Sequence, residues 1–189
     1  MMKFSFGLAT ALSLFIVSVA ADSSTPSGSV CASAKQNKGT YNGHIKDEVC
    51  SFLIDDCMEE IQSTNNIWSI SSCVAGAACG GTHNLLVLAQ CSASGFNNIA
   101  ASDLPSLDYP LYAEIVGDCA WNAGGCSMTK QNFVDFFYRT LDDSCSDIWP
   151  ENVEDVVNTY WSPIAQWTAT GKSIPYLNFN DWLHWSDSQ

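Results

Sequence analysis

The sequence predicts an all-α, disulfide-braced, multi-helix secreted domain, and three observations carry that expectation. Nine cysteines stand between Cys31 and Cys145, all downstream of a segment with secretory character. From Asp47 onward, apolar residues recur at helical spacing. Nowhere do apolar and polar residues alternate for long enough to form a sandwich or barrel, and no fixed repeat is visible. The secretory reading rests on the basic start Met1-Met2-Lys3, the apolar run Gly7 to Val17 and the small residues Ser18-Val19-Ala20-Ala21, which make residues 1–21 a signal peptide. Exported thiols oxidise, so Cys31, Cys50, Cys57, Cys73, Cys79, Cys91, Cys119, Cys126 and Cys145 are all disulfide candidates rather than metal ligands. An odd number permits at most four bridges, with the ninth thiol expected to be buried. The pairing is left open.

Residues 22–46 are rich in Ser, Thr, Pro and Gly and read as a flexible lead-in tied down by Cys31. Residues 47–189 read as a single helical domain. Its first helix places Cys50, Leu53, Ile54, Cys57 and Ile61 on one face and Glu48, Asp55, Glu59 and Gln62 on the other, so both cysteines point inward. Ile67 to Ala78 reads as a second, more buried helix ended by Gly80-Gly81, with Gly76 to Gly81 taken as a turn. Leu85 to Cys91 is too short for periodicity to separate helix from buried strand. Asn97 to Pro110 is a loop, and helix resumes over Leu111 to Trp121. Ser127 is the expected N-cap of a helix that stacks Phe133, Phe137 and Leu141. Pro150 is the expected first position of another, with Val153, Val156, Val157, Tyr160 and Trp161 as its apolar face. Ser162-Pro163 restarts a short helix carrying Trp167, and Asn180 is the expected cap of a final turn bearing Trp182 and Trp185.

Charge narrows the possible partners. Loss of the signal segment leaves six basic residues against twenty acidic ones, a net charge of about −14. That balance argues against nucleic acid and against anionic lipid, since no basic cluster exists to neutralise phosphates. No later stretch reads as a membrane anchor. The acidic cluster Asp55, Asp56, Glu59 and Glu60 has the carboxylates that glycoside hydrolysis uses, but on an exposed turn it reads as a solvated face. His44, His83 and His184 are scattered and form no two-histidine metal motif, so neither metal nor cofactor is expected.

Five of the seven tryptophans fall within Trp149 to Trp185, beyond the last cysteine. Buried, they replace disulfides as the attachment of the tail; exposed, they stack on sugars or anchor a protein. Burial explains both facts at once, and Trp182 and Trp185 are the residues singled out as a binding face.

The stretches Trp149-Pro150-Glu151, Tyr160-Trp161-Ser162-Pro163-Ile164, Gly171-Lys172-Ser173-Ile174-Pro175-Tyr176 and Asn178-Phe179-Asn180-Asp181-Trp182-Leu183-His184 resemble a group of small secreted proteins of mushroom-forming fungi that has no assigned activity. The resemblance covers about a quarter of the mature chain and transfers no catalytic residue. It implies a fungal, extracellular setting. The leading expectation is a non-enzymatic interaction protein, effector-like or immune-modulating, with an extracellular protein or glycan as partner. Two alternatives are a hydrolase of wall polysaccharide or lipid, and a carbohydrate-binding module built on the C-terminal aromatics.

Overall fold

The computed structural model describes residues 26–40 and 46–186, and these are mostly helical. The expected signal peptide and His44 lie outside the described residues. Helix α2 (Glu48–Glu60) starts at the N-cap Asp47, whose side chain accepts the Cys50 N–H, and buries the predicted face completely. Helix α3 (Ser71–Gly80) packs along it antiparallel, because Cys50 bridges Cys79 while Cys57, two turns on, bridges Cys73. The predicted turn at Gly76 to Gly81 is instead helical as far as Gly80. A Cβ at Gly80 would stand 2.6 Å from Ile54 Cδ1, and one at Gly76 would stand 3.2 Å from Ile54 Cγ1. These glycines are the groove into which Ile54 nests, and they allow the Cα atoms of Cys57 and Cys73 to approach to 4.7 Å. The turn itself is Gly81, at φ 84°.

Leu85 to Cys91 resolves as part of helix α4 (Thr82–Ser92). The lead-in is less loose than the composition implies, since helix α1 (Gly28–Gln36) forms behind the Ser27 cap and is tied to α4 by Cys31–Cys91. Three bridges thus lie among the first four helices, one joining α1 to α4 and two joining α2 to α3. A fourth, Cys119–Cys126, closes a short loop after helix α5 (Tyr109–Val116). Cys145 is the free thiol, and it is exposed rather than buried. It follows helix α6 (Lys130–Asp143) at φ 55°, where Cys145 N–H donates to Asp142 O and Ser146 N–H to Leu141 O. The left-handed residue of this helix stop faces solvent.

The rest of the C-terminal half is held by packing. Thr129, not Ser127, caps α6 in a reciprocal arrangement with Asn132, because Met128–Thr129 (β1) is drawn into an antiparallel pair with Ser173–Ile174 (β2). Asn152, not Pro150, opens the next helix by accepting the Asp155 N–H. It runs through α7 (Val153–Asp155), a π-helical segment Val156–Trp161 and α8 (Ser162–Thr168). Pro163 accounts for the widened turn: it has no N–H to give, and its ring crowds the preceding turn of a regular helix. The widening shifts the apolar face, burying Val156, Tyr160 and Trp161 and leaving Val153 exposed.

Helix α9 (Tyr176–Trp185) closes the fold with Pro175 at its N-cap position; Asn180 lies within it. The Asn180 side chain instead accepts the Leu107 N–H, Tyr176 donates to Leu107 O, and the His184 ring nitrogens contact Asn180 O and the carbonyls of Leu104 and Pro105. The loop expected from Asn97 to Pro110 is therefore pinned along its last part by α9, with Leu104 and Leu107 buried beneath it.

Candidate functional site

The two residues singled out as a binding face part company in the fold. Trp182 is 1 % exposed and stacks on Phe179 at 5.8 Å with the rings nearly parallel, so it is core. It falls one turn after Phe179 on α9, on the face that meets the body. Trp185, on the same helix, is exposed. The acidic cluster is occupied with structure: Asp55 pairs with Lys38, and Asp56 accepts the Ser144 hydroxyl at 2.7 Å. The Glu60 carboxyl is pushed above its ordinary range by partial burial and then by the Asp56 charge. His83 is exposed, whereas His184 is buried against backbone carbonyls. No group of three His, Cys, Asp or Glu able to hold a metal occurs among the described residues.

What the fold brings together instead is an aromatic groove of about 410 Å³ where α5, the Cys119–Cys126 loop and the start of α9 converge. Its support is Tyr112, which is buried at 1 % exposure. The Tyr112 hydroxyl accepts from Met128 N–H at 3.1 Å and lies 3.0 and 3.2 Å from the carbonyls of Cys126 and Ile174, so one side chain joins both strands of the β pair to α5. Burial pushes this phenol up to about 12; the Met128 N–H opposes the shift, and Tyr109 adds to it.

Tyr109 and Tyr176 form the wall, meeting edge to face at 5.1 Å, and Trp121, just outside the lining, packs edge to face on Tyr109, also at 5.1 Å. Their hydroxyls are committed inward: Tyr109 donates to Ala120 O at 2.7 Å and Tyr176 to Leu107 O at 2.6 Å. The rings are thus fixed and present carbon faces, not polar tips. Leu177 and Trp121 are 68 % and 63 % exposed, the most exposed large apolar side chains among the described residues. The disulfide loop holds Trp121 out, with Gly124 and Gly125 turning the chain at φ 92° and 61°.

The groove lining carries no charged side chain of either sign. Asp108, one residue before α5, is half-buried, forms no side-chain cap, and makes no ion pair or side-chain hydrogen bond among the described residues. Its charge acts on Tyr176, whose phenol is raised first by burial, then by Asp108 and Tyr109.

Sequence reasoning missed this site because its lining comes from three separate stretches, residues 109–112, 124–127 and 175–178. One local signal was available: Trp121 opens the polar, glycine-rich stretch Trp121-Asn122-Ala123-Gly124-Gly125 between two cysteines, where a large apolar residue has no core to enter. No family model, curated protein or solved structure matches the chain.

Proposed function

We propose that this chain is a secreted, non-enzymatic interaction protein, effector-like in the sense of a disulfide-hardened fungal factor acting outside the cell, and that the aromatic groove is its contact face. The observation that carries this reading is the pairing of the two most exposed apolar side chains, Trp121 and Leu177, with a wall of rings immobilised by their own hydroxyl bonds. Exposed aromatic anchors on a rigid support lose little conformational entropy on binding, which is the usual character of interface hot spots. The four disulfides fit an oxidising environment. Of the C-terminal aromatics on which a carbohydrate-binding reading relies, Trp182 is buried, whereas Trp149, Trp167 and Trp185 are exposed.

A panel of wall polysaccharides and extracellular proteins, scored for both retention and turnover, tests the proposal. Retention without turnover, weakened in Trp121→Ala and in Leu177→Ala, is the expected outcome. Turnover of any polysaccharide that disappears in Glu60→Gln would transfer the function to the α2 carboxylates and refute the reading.

A further inference from the structure

We propose that the groove takes a cationic peptide segment, with a Lys or Arg side chain laid over the Tyr109 and Tyr176 rings beside Asp108; this rests on the groove being the contact face. Three features of the groove select that chemistry. First, ring faces carry the negative side of the aromatic quadrupole and attract a cation, most strongly where water is partly excluded. With Tyr109 edge-on to both Tyr176 and Trp121, the rings meet at 66° and 71° and make a corner of such faces.

Second, the lining holds no cation that would repel a basic side chain, and Asp108, next to Tyr109 in the chain, is half-buried and makes no ion pair among the described residues. A chain with net charge −13 also draws basic partners toward it over long range.

Third, the groove fits a peptide better than a sugar. A pyranose ring carries hydroxyls around its rim that need partners, yet all three groove tyrosines direct their hydroxyls to backbone groups, leaving Ser127 and Asn178 as the lining side chains with free polar character. At Gly124 an added Cβ would meet nothing within 4 Å, so an extended backbone has open room beside the loop.

The experiment is a calorimetric titration of the full mature chain with an Arg- and Lys-bearing dodecapeptide, with the same peptide carrying Gln at every basic position, and with a β-glucan hexasaccharide. The basic peptide is expected to bind and the other two to bind at least about tenfold more weakly. Trp121→Ala, which leaves the net charge unchanged, should weaken the basic peptide about tenfold, and Asp108→Asn about threefold, while Glu59→Gln on α2 should leave affinity nearly unchanged. If the Gln peptide or the hexasaccharide binds as tightly as the basic peptide and Trp121→Ala abolishes it, the cationic inference is overturned and the groove remains the contact face. Binding of the basic peptide that is indifferent to Trp121→Ala would mean attraction by overall charge alone and would overturn both. Absence of binding by the basic peptide overturns the inference.

Discussion

The two halves of this molecule solve the same problem by different chemistry. In α1 to α4 the helices are stitched by Cys31–Cys91, Cys50–Cys79 and Cys57–Cys73, and the α2–α3 contact is lined with glycine and alanine, so little aromatic bulk is needed. From α5 onward the one bridge closes only a local loop, and cohesion comes from packed rings: Phe137 stacks on Tyr160 and Phe179 on Trp182, while Phe133 meets Trp161 at a tilt. The difference decides where apolar side chains reach the surface. The cross-linked half brings its backbones close and, Val30 on α1 apart, exposes none of its large apolar side chains among the described residues. The aromatic half holds more rings than its core encloses, and Trp121 with Leu177 emerges at the groove.

The largest effect should come from the aromatic half. Trp182→Ala removes a side chain that is 1 % exposed and stacked on Phe179, and is expected to cost about 3–5 kcal/mol, read as a fall in melting temperature. Full stability in that variant would break the claim that rings do the work of disulfides there. In the cross-linked half, replacing Cys57 and Cys73 together by Ala should cost about 3 kcal/mol in denaturant unfolding, as expected for a bridge spanning 16 residues. A variant pair without effect would mean that helix packing alone holds α2 on α3.

Alkali should strike the aromatic half. The Tyr112 phenol is held near 12, above its ordinary value near 10, so the protonated form is favoured in the fold. Its contribution is complete below about pH 10 and is lost as pH climbs toward 12, on the order of 2–3 kcal/mol in all. Phenolate absorbance that rises late and together with loss of helical dichroism is the expected signature; early, independent ionisation would remove Tyr112 as the support of the groove. Gly80→Ala should cost about 1–3 kcal/mol by forcing its new Cβ against Ile54, measurable by chemical denaturation. A neutral or stabilising outcome would show the α2–α3 contact to be looser than the 2.6 Å approach implies.

Legibility in the sequence follows the same division. Helical spacing alone placed both α2 cysteines and the Phe133, Phe137 and Leu141 stripe inward, because a repeating local pattern reports a local face. Composition misread Gly76 to Gly80, where glycine serves close packing rather than turning, and Ser27 to Gln36, where a disulfide and a cap support a helix despite polar residues. The π-helical segment depends on how a proline is absorbed, and the β1–β2 pair joins residues 128 and 174, so neither has a local signature. For the same reason the groove was invisible, while the density of tryptophan beyond Cys145 drew attention to Trp182, which is core.

Under the proposed function, the exposed aromatics beside the groove serve contact and the buried ones serve cohesion. The melting temperature of Trp121→Ala measured against the parent chain tests it most directly. Trp121 is 63 % exposed and touches the wall only edge-on, so stability should stay within about 0.5–1 kcal/mol of the parent. A destabilisation as large as that of Trp182→Ala would make Trp121 part of the scaffold and contradict the account.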